Sequence, residues 1–213
     1  MVIDHLIVGV SDLKSGTSAV EAALGITAVR GGRHTGRGTA NTLIRLGETC
    51  YLEVLGPDPE APELIPGWLS SSLLGRGRLI GWAVRTQGID SEVERLRDLG
   101  WDPGPVEAMS RDNAGGTVSW RLTPSHVEAG VAVLPFLIDW GGSPHPSQSL
   151  PREAELEGLT VVSPDPGSVQ GALRMMGVEV AVYRGPEPSL RAVIRTGSRE
   201  VVLETIGPAE GGF

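Results

Sequence analysis

Along this chain the apolar positions change period in a fixed order. Val2–Val10 is a short β-branched run broken by Asp4-His5, and it reads as a strand. Ser11-Asp12 offers a helix cap, Leu13–Leu24 carries apolar residues at helical spacing, and Gly25 ends the run. Three strand candidates follow: Ile26–Val29, Asn41–Leu46 and Thr49–Leu55. Arg30 and the loop GGRHTGRG separate the first from the second, and Gly47-Glu48 joins the last two as a hairpin signal. The segment therefore reads βαβββ.

The same order comes twice more. Leu79–Thr86, a helix over Ser91–Leu99 capped by Asp90 and stopped by Gly100, and strands Val106–Ser110, Thr117–Thr123 and Val131–Ile138 make a second copy. Leu156–Ser163, the loop SPDPG, a helix over Val169–Met176 closed by Gly177, and strands Val178–Tyr183, Leu190–Arg195 and Glu200–Ile206 make a third. Aligning Ser11-Asp12 with Ser163–Asp165 brings Gly25 near Gly177. It also sets CYLEVLGP near VVLETIGP, so that Glu53 falls on Glu204. A repeated supersecondary unit points to duplication inside one compact α+β architecture. The modules span 1–58, 79–140 and 155–207. A connector at 59–78 holds a short helix candidate at Glu63–Ser71, and a polar, proline-bearing loop spans 141–154.

Composition narrows the partners. The 213 residues are 40% hydrophobic and 21% charged, which is globular, and the formal net charge is -8. An acidic chain gains nothing from counterion release, so nucleic acid is not an expected partner. There is no polybasic run for a membrane surface and no apolar stretch near the roughly 20 residues of a span. The single cysteine, Cys50, cannot form an internal disulfide, and the N-terminus makes a poor signal peptide; both fit a cytoplasmic protein.

Few residues carry chemistry. Strand alternation places His5 on the face of Ile3 and Ile7, and Glu53 on the face of Tyr51 and Leu55. A carboxylate inside an apolar strand is costly to bury unless it is paired, protonated or metal-bound, and the same holds for Glu204. His34 and Arg33 sit in the glycine-rich loop with Arg30 and Arg37 close by, and Asn41 follows it. Such a loop can bring backbone N–H groups and guanidinium forks onto an anion, or it can be a solvated hairpin. His145, after Asp139 and Trp140 in IDWGGSPHPS, is an acid–base candidate closing over a cleft or an ordinary turn residue. Five tryptophans stand against two phenylalanines, and Trp82, Trp120 and Trp140 are candidates for a ligand-binding wall or for core packing. His126 and Cys50 read as structural.

IDHLIVGVSDL, GGRHTGRGTAN, TCYLEVLGPDP, LIGWAVRT and PFLIDWGGSPHP together resemble the vicinal-oxygen-chelate superfamily, and within it the glyoxalase-like branch. The resemblance implies two βαβββ modules whose curved sheets enclose a cleft. It implies a divalent metal (Zn, Ni, Mn or Fe) held from the first and last strands of each module, a small-molecule ligand bound through oxygen, and module pairing that can also occur across a homodimer. On the same resemblance His5 and Glu53 hold the metal positions of the first module, with Glu204 as a third ligand if the third module packs against the first. The second module departs from the pattern: the position matching His5 falls at Ile80 or Gly81. In the third it falls at Glu157 or Gly158. Two readings follow. One is metal-assisted lyase or isomerase chemistry, with Glu53 and His145 as acid–base groups. The other is a metal-free protein that sequesters a small molecule or antibiotic.

Overall fold

A computed structural model describes residues 1–70, 74–75, 77–113, 116–127 and 130–205. Among them the element order is β1 (Val2–Gly9), α1 (Leu13–Leu24), β2 (Val29–His34), β3 (Thr39–Arg45), β4 (Tyr51–Pro57), β5 (Arg78–Arg85), α2 (Ile89–Asp98), β6 (Glu107–Asn113), β7 (Gly116–Leu122), β8 (Phe136–Asp139), β9 (Ala154–Ser163), α3 (Pro166–Met175), β10 (Ala181–Arg184), β11 (Ser189–Thr196) and β12 (Arg199–Glu204). The fold is mixed α+β, with the βαβββ order present three times. No helix among the described residues is long and apolar enough to cross a membrane.

Modules one and two pair within this chain. Their strands close a barrel in the order β1-β4-β3-β2-β6-β7-β8-β5, while the third module forms its own sheet, β10-β9-β11-β12. The antiparallel β1–β5 ladder joins the two modules on one side, with Leu6 opposite Trp82 and Ile7 opposite Gly81. A short contact, Arg33 with Asp112 and His34 with Arg111, closes the other side. Gly32 permits that closure: a β-carbon there would lie 2.4 Å from the Asp112 carbonyl oxygen.

Strand alternation sorts the side chains into two cores. Leu6, Val8, Leu52, Val54, Trp82 and Val84 point outward. They pack under the helices and against Leu159, Val161, Ala192 and Ile194 of the third sheet. Ile7, Tyr51, Leu55, Trp120, Phe136 and Trp140 point inward. The third module therefore covers the back of the barrel, and none of its described residues lines the interior cavity. Thr205 ties the two layers by donating from Oγ1 to the Leu79 carbonyl at 2.5 Å.

Several local expectations need correction. The stretch taken as the loop GGRHTGRG is in part strand, because β2 runs through Gly31 and Gly32 to His34, whereas Ile26–Ala28 forms no strand. The last strand of module two is only Phe136–Asp139; Val131–Pro135 lies outside it. Asp90 does not cap α2. Its N-cap is Gly88, the Gly88 and Ile89 N–H groups donate to Asp139 at 2.9 and 3.1 Å, and Asp90 instead pairs with Arg121. The connector holds short 3-10 turns at Pro62–Leu64 and Gly67–Ser70 in place of one helix. Ser71 and Ile206, the ends of two expected elements, lie outside the described residues.

On β1 a register shift lies between Ile3 and His5, so Asp4 is an extra residue in the ladder with β5. A bulge of this kind re-aims the side chains around it. Ile3 consequently packs with the outer core and not on the face of His5, and the Asp4 carboxylate turns toward His5 and the barrel's Trp140.

Candidate functional site

The barrel interior is a cavity of about 440 Å³, open to solvent, with a polar belt on one wall. Five neighbouring strands place polar side chains in the lining, among them His5 from β1, Glu53 from β4, Asn41 from β3, His34 from β2 and Arg111 from β6. The facing wall is aromatic and aliphatic, with Trp120, Leu122, Phe136, Ile138 and Trp140. Trp120 and Trp140 lie 5.4 Å apart, centre to centre.

Glu53 is the centre of the belt. It is 6% exposed, and its Oε1 accepts a hydrogen bond from Asn41 Nδ2 at 2.5 Å. His5 Nε2 stands 3.8 Å from Oε2, and His34 Nε2 stands 3.7 Å from Oε1. A carboxylate this deep is costly without such partners. Asn41 is seated against Gly31, where a β-carbon would fall 2.1 Å from the Asn41 Oδ1. The glycine-rich stretch thus serves the site otherwise than as an anion cradle: Gly31 makes room for the carboxamide that orients Glu53.

His34 Nδ1 lies 2.7 Å from Thr39 Oγ1, and its Nε2 lies 3.2 Å from the Asn41 amide nitrogen. Because the amide is a donor, Nε2 accepts and the ring proton sits on Nδ1. Burial holds the His34 pKa below its ordinary value; Glu53 opposes that and Arg111 adds to it. His34 is therefore a neutral imidazole near pH 7.

Behind His5 lies a network whose hub is Asp4. Asp4 Oδ1 accepts from His5 Nδ1 at 2.7 Å, while Oδ2 accepts from His145 Nε2 at 3.0 Å and Trp140 Nε1 at 3.1 Å. Burial by itself would raise the Asp4 pKa, but the hydrogen bonds from His145 and His5 and their charges outweigh it, and the carboxyl is held well below the usual carboxylate range. An ionised Asp4 can only accept, so His5 carries its proton on Nδ1 and presents Nε2 to Glu53. Tyr51 stacks on His5 at 4.7 Å. Burial first, then Asp4 and Glu53, push the Tyr51 phenol well above its ordinary value.

The structure brings together His5, Glu53, His34, Asn41 and Trp140 of the residues singled out in the sequence. It leaves four elsewhere. His145, expected over the cleft, is a buried residue behind the wall, bonded to Asp4 and Ser147. Arg33 is committed to Asp58 at 2.6 Å and Glu60 at 2.9 Å, so it offers no free fork to an anion. Trp82 is fully buried in the outer core, and its indole N–H donates to the Val133 carbonyl. Glu204 lies on β12 of the separate sheet and pairs with Arg191 at 3.1 Å, because the third module packs on the barrel's back. Sequence reasoning missed Asp4 and Arg111. Asp4 carried a visible signal as the charged half of the polar break in the first strand. Arg111 carried none, since an arginine in a mostly polar strand, EAMSRDN, reads as solvent-facing.

The divalent centre that the resemblance implies requires donors from both modules, and this chain does not supply them. The barrel's approximate two-fold symmetry relates Leu6 to Trp82, its own ladder partner. The counterpart of His5 is then Gly81. Glu53 faces Ile7 in the β1–β4 ladder, and Phe136 faces Ala83 in the β5–β8 ladder, so Phe136 is the counterpart of Glu53. Glycine and phenylalanine cannot ligate a cation. Among the described residues no group of three or more His, Cys, Asp or Glu side chains is arranged to hold a metal ion. The residues present do not fit a complete metal site.

Comparison with known proteins agrees with this architecture. The model of the glyoxalase-like domain matches residues 3–177. Among curated proteins no sequence matches the chain. Among solved structures, a hypothetical protein from Staphylococcus aureus is similar with a TM-score of 0.59 at 16% identity, covering 95% of this chain and 84% of that one. A methylmalonyl-CoA epimerase in complex with methylmalonyl-CoA and NH4+ is similar with a TM-score of 0.44 at 22% identity, over 68% of this chain and 97% of that one. The methylmalonyl-CoA epimerase from Mycobacterium tuberculosis is similar with a TM-score of 0.39 at 19% identity, over 64% and 86%. With its paired βαβββ modules and a family match that runs from the first strand to the end of the third helix, this chain belongs to the glyoxalase-like domain family of the vicinal-oxygen-chelate superfamily.

Proposed function

We propose that the protein takes a small carbonyl compound into the barrel and moves a proton on the carbon next to its carbonyl, with Glu53 as the base and His5 as its partner. The observation that carries this reading is the placement of Glu53. It is a buried carboxylate on the cavity wall, oriented by Asn41 and faced by two imidazoles. A general base must be positioned first and tuned second. Asn41 fixes one oxygen and leaves Oε2 facing His5. His5, held in one tautomer by Asp4, presents a bare Nε2 that can accept the abstracted proton from Glu53 and then, as an imidazolium, donate to the enolate oxygen. The neutral His34 keeps a second proton donor or acceptor at the belt without adding charge. The reaction class is isomerase- or lyase-type proton transfer, run on this chain's own side chains.

A second reading has its own support. Gly81 and Phe136 replace polar positions in module two, and Trp120 and Trp140 make a stacking wall. This suits stoichiometric sequestration of an aromatic ligand without turnover.

Deuterium incorporation separates the two. Small 2-oxo and 2-hydroxy carbonyl compounds are incubated with the protein in D2O and followed by proton NMR. The expected result is enzyme-dependent exchange that falls about 10²–10⁴-fold in Glu53→Gln. Equal exchange with the wild-type and Glu53→Gln proteins overturns the proton-transfer reading. Saturable binding with no exchange supports sequestration.

A further inference from the structure

Of the charged side chains around the cavity, Arg111 is the one left unmatched among the described residues. It is 5% exposed and lines the cavity, and its Nε has no hydrogen-bond partner. Among the described residues it forms no ion pair, whereas its neighbours are spoken for: Arg37 by Glu107 at 2.7 Å, and Arg33 by Asp58 and Glu60. Arginine stays charged at any accessible pH and has five N–H donors to satisfy. Burying it without a counter-charge is strongly unfavourable, so its retention in a cavity wall calls for a partner that arrives from outside. The charge is felt within the site, where it adds to the lowering of the His34 pKa and partly opposes the burial that raises that of Tyr51.

The geometry points to Arg111 as the seat of a carboxylate carried by the ligand. A planar carboxylate meets the Nε edge of a guanidinium through two parallel hydrogen bonds, and the free Nε is half of that fork. One positive charge calls for one negative charge. A phosphate dianion would bring a second charge into a cavity that already holds Glu53, with Arg37 committed elsewhere. On β6, Met109 lies beside Arg111 on the same face, and Trp120 stands opposite Met109 on β7. A ligand seated by its carboxylate thus lays an apolar or aryl body along Met109 and Trp120. Arg111 and Glu53 line the same cavity, with β2 and β3 between their strands. The ligand class is a small organic monocarboxylic acid with an apolar or aryl body. This rests on the reading of the barrel as a small-molecule site.

Benzoate, phenylacetate and 2-naphthoate, each paired with its uncharged amide, are the probes. Melting temperature and calorimetric affinity are measured at constant ionic strength on the wild type and on Arg111→Met, Arg111→Lys and Glu53→Gln. A carboxylate at ten times its Kd is expected to raise the wild-type Tm by roughly 3–6 °C, with no shift from the amide at that concentration. Arg111→Met is expected to lose the shift and to bind at least about tenfold more weakly. Without ligand it melts no lower than the wild type, since it sheds an unmatched buried charge. Arg111→Lys keeps the fold and the charge but loses the fork, and retains only part of the affinity. The proposal is overturned if none of the three carboxylates shifts the wild type, if acids and amides act alike, or if Arg111→Met keeps the carboxylate response. Glu53→Gln tells the two readings apart. If it loses exchange while Arg111→Met keeps its carboxylate affinity, the seat is wrong and the proton-transfer reading stands. If it keeps exchange while Arg111→Met loses that affinity, the seat stands and the proton-transfer reading falls.

Discussion

Replacing Asp4 by Asn alters one atom and removes one charge, and its consequences can be worked through bond by bond. Asp4 is fully buried and accepts three N–H groups: one on Oδ1 from His5, and two on Oδ2 from His145 and Trp140. A carboxamide has a single acceptor oxygen. If that oxygen keeps the pair from His145 and Trp140, its N–H2 faces His5 Nδ1. His5 must then move its proton to Nε2, the nitrogen 3.8 Å from Glu53. If the oxygen keeps His5 instead, two buried donors are left facing N–H2. Either way a buried charge network loses its anion, at a cost of about 3–5 kcal/mol. For a chain of this size that is a fall in Tm of roughly 6–20 °C. The pH dependence has a defined sign. Folding depresses the Asp4 pKa from 3.8, so its contribution is complete above that value and fades as the pH falls below it toward the folded pKa. The gap between wild type and Asp4→Asn should therefore be widest at neutral pH and narrow in acid. Calorimetry gives the Tm, and nitrogen-15 shifts of the His5 ring give the tautomer. An Asp4→Asn protein melting within about 2 °C of wild type, with His5 still protonated on Nδ1, would refute the network.

Other expectations follow from the same contacts. His34 is buried with a pKa below 6.5, so the unfolded chain binds its proton first; stability should drop as pH falls through 6.5 toward the folded value, and His34→Gln should flatten that slope in urea titrations at pH 5.5 to 7.5. Gly31→Ala puts a methyl 2.1 Å from the Asn41 oxygen; it should cost about 1–3 kcal/mol and depress deuterium exchange with Asn41 itself intact. Burial pushes the Cys50 thiol up to about 12, so labelling by iodoacetamide at pH 8 should track global unfolding and remain slow in the native protein. Glu204→Gln, in an exposed pair with Arg191, should change stability by no more than about 0.5 kcal/mol and leave exchange untouched.

The elements that the sequence revealed best are those with local signals. Leu13–Leu24 ends where Asp12 and Gly25 say it should, because Asp12 accepts from Ser15 N–H at 2.7 Å and Gly25 takes a left-handed φ of 71°. His5 and Glu53 were legible because strand alternation is also local. What stayed hidden depends on partners far along the chain. The cap of α2 comes from Asp139, some fifty residues away. β2 exists because β3 and β6 pair with it, which a run of glycines does not announce. The likeness of Glu53 and Glu204 was one of sequence order alone: β4 lies between β1 and β3, whereas β12 is an edge strand beside β11, and order along the chain does not say which strands pair. Arg111 could be recognised only by what it lacks, and a missing partner has no pattern in sequence.

The two sides on which the modules meet are unequal. Seven residue pairs of β1 and β5 form one, backed by the third sheet, and two pairs of β2 and β6 form the other. Like a clamshell, the molecule has a spine and a clasp. Hydrogen bonds between strands are the cheapest to part where they are fewest, so the clasp is the side that would open first, beside a cavity already open to solvent. His34 and Arg111 make one of the two pairs that fasten it, Arg33 and Asp112 the other. An occupant gripping Arg111 would latch the halves together, and amide protons of β2 and β6 would then be the first to slow their exchange with water.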